Sequence, residues 1–272
     1  MPIIDYSLLD RSEISMNSFY PREHWSPTPP GAKDYMISVD NGISLSCRFF
    51  PAGQDNPEIE SPTILFFYGN GETACDYDGI APIYNQIGVN FFVSDYRGYG
   101  GSDGIPAFST MLSDARKVQE SLWGMLDEGG LHGPRFVMGR SMGRHAAFEL
   151  AASPAYGLQG MIIESGRPGL GNFTQGLDPE EAKKYQDDYL EKVLSIKIPV
   201  LVIHGQMDGL APLRDAVGMH NEFVSADKQL LIIPGAGHND LMHLGFSEYF
   251  TAIHQFVRPG PSANGWRLKT AR

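Results

Sequence analysis

The segment Gly139-Arg140-Ser141-Met142-Gly143 follows the apolar run Arg135-Phe136-Val137-Met138 and leads into Arg144-His145-Ala146-Ala147-Phe148-Glu149-Leu150. Strand, tight glycine turn and helix, in that order, hold a nucleophilic serine exposed on a strained elbow. The glycines supply a turn too tight for a Cβ on either side of the serine. The chemistry on offer is acyl transfer through Ser141, which would take the acyl group from substrate as a nucleophile. In a chain with 31 glycines among 272 residues the pattern also arises by chance, and Gly100-Gly101-Ser102-Asp103-Gly104 matches it too. The clustered glycines and Pro106 around that copy mark a loop instead of a helix start, so Ser102 fails on context.

A serine hydroxyl needs a base within hydrogen-bond reach, and the base needs an acid to orient it. In an open parallel sheet such groups gather beyond the carboxyl ends of the strands. Two such ends carry them here. Pro199-Val200-Leu201-Val202-Ile203 runs into His204-Gly205-Gln206-Met207-Asp208, and Leu230-Leu231-Ile232-Ile233 into Pro234-Gly235-Ala236-Gly237-His238. That gives the chain order Ser141, Asp208, His238. Glu164, which also ends an apolar run, is the alternative acid. Asp240 reads as a helix cap, His204 as a brace for the acid loop, and His145 and His243 as ordinary helix residues. Oxyanion donors are available by position at the backbone N–H of Met142, on the helix N-terminus, and at Asn70 in the loop Gly69-Asn70-Gly71-Glu72. No His-Glu-x-x-His and no paired Cys/His spacing occurs, so neither a metal nor a cofactor is expected.

The elements that must position these groups alternate. Strand candidates are Thr63–Tyr68, Asn90–Asp95, Arg135–Met138, Gly160–Glu164, Pro199–His204 and Gln229–Ile233, separated by helical stretches at about 76–87, 110–128, 142–152, 179–194, 211–224 and 240–257. Met36-Ile37-Ser38-Val39 and Ile43–Phe50 flank Asp40-Asn41-Gly42, a hairpin signal. The expectation is an α/β fold: a mostly parallel eight-stranded sheet with an antiparallel N-terminal hairpin and helices on both faces. Residues 1–34 read as a surface arm, 35–257 as the catalytic domain and 258–272 as a loose tail.

These pieces resemble the α/β-hydrolase superfamily, in its serine-hydrolase form. The matching segments are Tyr68-Gly69-Asn70-Gly71, Asp95-Tyr96-Arg97-Gly98-Tyr99-Gly100-Gly101-Ser102, the Ser141 pentapeptide, His204–Asp208 and Gly235-Ala236-Gly237-His238, in family order. The second of them is similar to the Bem46-like branch. The resemblance implies a Ser141–Asp208–His238 triad with Asn70 and Met142 as oxyanion donors. Two positions depart from the pattern. Tyr68 stands where the family usually has histidine. Arg144 stands where it usually has Gly or Ala, in a first helical turn whose dipole disfavours a cation, so its side chain is expected to run along the helix surface, toward the substrate mouth.

A formal net charge of -11 argues against nucleic acid or an anionic membrane as partner. The start has no secretory pattern, the apolar runs are too short for a membrane span, and two cysteines, Cys47 and Cys75, suit a reducing, cytoplasmic setting. Between Glu164 and Ile198 lie 33 residues, 165 to 197. Asp178-Pro179-Glu180-Glu181 opens a helix there, which leaves only a short cap region (about 166–196) whose glycine-rich first part is a flexible loop offering Phe173 to an acyl group. The expected activity is hydrolysis of a small to medium acyl ester or thioester through an acyl-enzyme. A serine peptidase acting on short peptides and a non-catalytic binder on the same fold are the alternatives.

Overall fold

The computed structural model describes residues 4–53, 60–153, 155 and 157–258. Eight strands form one sheet: β1 (Lys33–Asp40), β2 (Ile43–Phe50), β3 (Thr63–Phe67), β4 (Asn90–Ser94), β5 (Arg135–Arg140), β6 (Gly160–Glu164), β7 (Val200–Gly205) and β8 (Lys228–Ile233). Their order is β1-β2-β4-β3-β5-β6-β7-β8. β1 pairs antiparallel with β2 and β2 with β4, and the remaining pairs are parallel. The mostly parallel sheet with an antiparallel N-terminal pair is therefore the one expected from the alternating runs. Every residue of β3, β4, β6 and β7 is buried. Successive strand residues point to opposite faces, so both faces are covered, as continuous apolar runs require.

The helices are α1 (Ser12–Ser18), α2 (Ala81–Gln86), α3 (Phe108–Glu128), α4 (Arg144–Ala151), α5 (Pro179–Leu194), α6 (Leu213–Glu222), α7 (Leu241–Leu244) and α8 (Phe246–Val257). In α3 the buried positions Met111, Leu112, Ala115, Val118, Leu122 and Leu126 recur at helical spacing along one face. At α5 the Asp178 side chain accepts from the amides of Glu180 and Glu181, the N-cap anticipated from sequence. The helix expected over 240–257 breaks in two at Gly245, where a Cβ would come within 2.6 Å of Ile233 on β8.

The N-terminal arm carries more structure than its composition suggests. A 3-10 turn (Ser7–Asp10) and α1 lie within it, and Tyr6, Leu9, Ile14 and Phe19 join the main hydrophobic core. At the other end, only Arg258 of the expected tail falls within the described residues.

Register sets up the site. Phe67 pairs with Gly139, Gly139 with Ile163, and Ile163 with Val202, so β3, β5, β6 and β7 end nearly level. The loops that follow them meet at one edge.

Candidate active site

β5 ends at Arg140, and Ser141 adopts φ 51 before a 3-10 turn (Ser141–Gly143) feeds α4. A non-glycine residue in the left-handed region costs on the order of 1–3 kcal/mol and persists only where its surroundings impose it. They do so here by close packing. A Cβ on Gly139 would lie 2.6 Å from the Gly143 carbonyl oxygen, and one on Gly143 would lie 2.0 Å from that of Phe67. The elbow is thus pressed against the end of β3.

The loops beyond β7 and β8 bring the other two groups to it. His238 Nε2 lies 2.9 Å from Ser141 Oγ, and His238 Nδ1 lies 2.8 Å from Asp208 Oδ2. The two loops are locked together: Met207 N donates to the Ala236 carbonyl at 2.7 Å, and Gly205 has no room for a Cβ beside the Gly237 carbonyl, 2.4 Å away. Asp208 Oδ1 accepts the amides of Leu210 (2.9 Å) and Ala211 (2.8 Å). Burial pushes the Asp208 carboxyl up, but the hydrogen bonds from His238 and these amides outweigh it and hold it below the ordinary carboxylate value. His204 is fully buried, with Nε2 2.8 Å from the Ala211 carbonyl, and braces the acid loop. Asp240 occupies the N-cap position of α7, yet its side chain accepts from Gly237 N at 2.6 Å, tightening the His238 loop.

Glu164 is close by but otherwise engaged. Its carboxylate accepts from Arg140 Nε at 3.0 Å and from Tyr249 Oη at 2.6 Å. Arg140 fans out further, to Glu72, to the His238 carbonyl at 3.2 Å and to Asn239 Oδ1 at 2.8 Å. Glu72 in turn accepts Gly69 N at 2.7 Å and Tyr77 Oη at 2.8 Å. Burial opposes the charge on Arg140, but Glu164 and Glu72 more than offset it and raise its pKa above the usual arginine value. One guanidinium therefore ties the serine elbow to the histidine loop and, through Glu72, to the loop after β3. Ser165, also at positive φ (49), donates to the same His238 carbonyl at 3.3 Å. Sequence reading missed both Arg140 and Ser165. An arginine inside the pentapeptide, one residue after an apolar run, was the available signal.

Comparison with known proteins agrees with this architecture. Residues 60–170 match the family model described as Serine aminopeptidase, S33. The human alpha/beta hydrolase domain-containing protein 17B is 28% identical over 236 residues, covering 82% of this chain and 74% of its own. An uncharacterized protein of Salmonella typhi, YfhR, is 24% identical over 267 residues, covering 92% and 90%. Among solved structures, the Pyrococcus furiosus esterase Pf2001 superposes with a TM-score of 0.66 at 19% identity, covering 87% of this chain and 97% of its own. The fold is that of the α/β-hydrolase superfamily, and the sequence is similar to its members.

Within this fold, two sequence-based expectations need correction. Arg144 does not run along the helix surface toward a substrate mouth. It is 7% exposed, and its guanidinium donates to the carbonyls of Ser141 (2.7 Å), Arg167 (2.9 Å) and Gly169 (3.1 Å). Burial lowers its pKa to about 10. Arg144 staples the elbow to the segment after β6, which is why an arginine is accommodated in a first helical turn. That segment is also not a loose loop offering Phe173 to substrate. Residues Gly171–Thr174 form a 3-10 turn, Leu170 N donates to Gln186 Oε1 at 3.0 Å, and Phe173 is 4% exposed against Phe19, Phe108 and His145. Its aromatic ring belongs to the core.

On the side of the expected oxyanion donors, a Cβ on Gly69 would stand 3.3 Å from Ser141 Cβ, so the Gly69-Asn70 loop lies against Ser141. Met142 follows Ser141 directly in the elbow. Tyr68, at the position where the family usually has histidine, donates to Asp95 Oδ1 at 2.7 Å, while its own carbonyl accepts from Tyr96 Oη at 2.7 Å. A buried phenol thus braces this loop. Among the described residues, no group of three or more His, Cys, Asp or Glu side chains is arranged to hold a metal, and no helix is long and apolar enough to cross a membrane.

Proposed function

We propose that this α/β-hydrolase is a serine hydrolase that cleaves a small to medium acyl ester or thioester through an acyl-enzyme. The observation that carries the reading is the hydrogen-bonded chain Ser141–His238–Asp208, at 2.9 and 2.8 Å, with the serine held at φ 51. His238 takes the proton from Ser141 as the hydroxyl attacks the acyl carbon, then returns it to the leaving alcohol or thiol. Asp208 fixes the imidazole so that Nε2 faces the serine and stabilises the imidazolium. The N–H groups of Asn70 and Met142 receive the oxyanion. Water, activated by the same histidine, then releases the acid. The similarity of Asp95–Ser102 to the Bem46-like branch belongs to this proposal, as does a reducing, cytoplasmic setting for the two free cysteines.

The peptidase alternative draws on the name of the matching family model. An aminopeptidase needs a carboxylate to receive the substrate ammonium, and the carboxylates beside the elbow are already engaged: Glu72 and Glu164 by Arg140, and Asp208 by His238. Exposed Met207 and Leu210 flank Asp208 in its loop, which favours an apolar group at that rim. A short cap region and a packed Phe173 suit short and medium acyl chains over triglycerides.

Fluorophosphonate labelling of the purified protein, with the modified residue mapped, tests the nucleophile. Label on Ser141 and turnover of p-nitrophenyl esters peaking at short or medium chains are the expected results. A peak at long chains, or faster cleavage of aminoacyl amides than of esters, would overturn the substrate class.

A further inference from the structure

We propose that the N-terminal arm is a working part of the site, with the main chain of Ser18–Tyr20 holding Asn70 so that its N–H faces the oxyanion. This rests on the reading of Asn70 as an oxyanion donor. The Asn70 side chain is paired as a neighbouring strand would pair a peptide group. Its Nδ2 donates to the Ser18 carbonyl at 2.8 Å, and its Oδ1 accepts Tyr20 N–H at 2.9 Å. Tyr99 Oη, from the loop after β4, donates to the same Oδ1 at 2.6 Å. Phe19, between the two arm residues, is 3% exposed and anchors the arm against Phe173, with ring centroids 5.2 Å apart. Farther along, Gly100 N donates to the Arg22 carbonyl at 3.0 Å and Arg22 pairs with Asp76. Residues 18–22 therefore stitch together the loops that follow β3, β4 and β6.

The main chain around Asn70 explains why such a clamp matters. Asn70 stands between Gly69 and Gly71, the latter at φ +81. Glycines on both sides widen the conformations open to the Asn70 peptide, and within the turn its Gly69 carbonyl accepts one long bond, from Glu72 N–H at 3.3 Å. The side-chain amide adds a second restraint on its direction, and the arm, together with Tyr99 Oη, fixes the amide. An oxyanion donor acts only if it is aimed in advance at the position the oxygen will occupy, so loosening the clamp must weaken transition-state binding more than substrate binding. The Tyr20 ring is 60% exposed, and its hydroxyl donates to the Asn17 carbonyl at 3.3 Å within the arm; the contact with Asn70 is made by the Tyr20 N–H.

The test separates the N–H from the ring. Phe19 already adopts φ -113 and ψ 137, the extended conformation that a residue before proline requires. Tyr20→Pro therefore removes the donor with little demand on Phe19, and Tyr20→Ala keeps it. With a p-nitrophenyl ester we expect Tyr20→Ala to retain kcat within about two-fold. Tyr20→Pro should lose roughly ten- to a hundred-fold in kcat with KM nearly unchanged, less than the ~10²–10³-fold loss for deleting an oxyanion donor outright. Affinity for a boronic-acid transition-state analogue should fall in parallel with kcat/KM, which a purely structural defect would not produce. Asn70→Ala opens the same clamp from the other side while keeping the Asn70 N–H, and should give the same loss; it also stands in if Tyr20→Pro does not fold. Wild-type kcat in Tyr20→Pro or Asn70→Ala, or equal losses in Tyr20→Pro and Tyr20→Ala, would overturn the role of the arm. Turnover that survives Ser141→Ala would instead overturn the reading of the site.

Discussion

In Gly139–Gly143 the serine sits at φ 51 between a buried strand and a helix, with its Oγ 2.9 Å from an imidazole. In Gly100–Gly104 the serine lies in a loop, and its Oγ accepts Ser46 N–H at 2.9 Å from the neighbouring strand β2. Beside it, Asp103 N donates to the Ser44 carbonyl at 3.0 Å and Asp103 Oδ2 accepts Ser44 N at 3.0 Å, so this second segment extends the pairing of β2. The glycines differ as well. Gly143 has an ordinary helical φ of -59 but no space for a side chain, whereas Gly104 has space, its nearest contact being 3.4 Å away, but a φ of +83. The last glycine of the pattern thus meets two different physical demands: room at the elbow and handedness in the loop. Only the copy with a strand before it and a helix after it brings its serine to an imidazole.

The largest test of that contrast is to remove each serine in turn. Ser141→Ala should abolish fluorophosphonate labelling and lower kcat by roughly 10⁴- to 10⁶-fold while the protein stays folded. Ser102→Ala should leave kcat within a few-fold and cost only stability, about 0.5–1.5 kcal/mol for one hydrogen bond. Labelling mapped to Ser102 would invert the comparison.

The next test contrasts the acid that reaches the histidine with the one that does not. Asp208→Asn should lower kcat by about 10⁴-fold through loss of the correct imidazole orientation. Glu164→Gln should act chiefly on stability, because it breaks a buried pair with Arg140, a change typically worth about 3–5 kcal/mol. A crippled Glu164→Gln enzyme beside a mildly affected Asp208→Asn enzyme would mean that the acid has been misassigned.

These contrasts also mark what was legible in the sequence. Ser141, Asp208 and His238 each follow an apolar run at a strand end, so local pattern and chain order place them without knowledge of packing. Glu164 follows a strand too, and only the Arg140 and Tyr249 contacts, from residues 24 and 85 positions away, show that its carboxylate is engaged elsewhere. The inward turn of Arg144 and the burial of Phe173 were missed for a related reason. Arg144 is drawn in by carbonyls of the segment after β6, and Phe173 is covered by Phe19 of the arm, contacts between distant parts of the chain that no local periodicity encodes. The Asn70 clamp uses main-chain groups of Ser18 and Tyr20, which carry no side-chain signature at all.

A smaller effect sharpens the glycine contrast. A Cβ added at Gly143 would lie 2.0 Å from a backbone oxygen that cannot move without shifting β3. Gly143→Ala should therefore destabilise by about 3 kcal/mol or more and reduce soluble yield. Gly104→Ala meets only the penalty of a left-handed residue, about 1–2 kcal/mol. Equal costs, measured by chemical denaturation, would show that the elbow is not pinned by space.

The smallest effect concerns Asp95, beneath the second segment, where a Cβ on Gly100 would fall 2.0 Å from its Oδ2. Burial raises the Asp95 carboxyl to about 6, against the lowering effect of its hydrogen bonds from Tyr68 and Ala74. The unfolded chain releases this proton near pH 4, so between about pH 4 and 6 the folded state binds more protons than the unfolded one. The stability that Asp95 contributes is then complete below about pH 4 and is lost as pH rises through 6. Carboxylates with depressed values, such as Asp208, run the opposite way, but they are shared by wild type and variant and cancel in the comparison. Measured across pH 4 to 7, the Tm of wild type should fall relative to that of Asp95→Asn by a few degrees, at about 2–4 °C per kcal/mol for a chain of this size. The absolute Tm of the variant carries its own cost, because the asparagine amide has to fit among groups that now donate to a carboxylate. The slope is therefore the quantity to compare, and parallel curves would mean that Asp95 is ionised in the folded protein throughout this range.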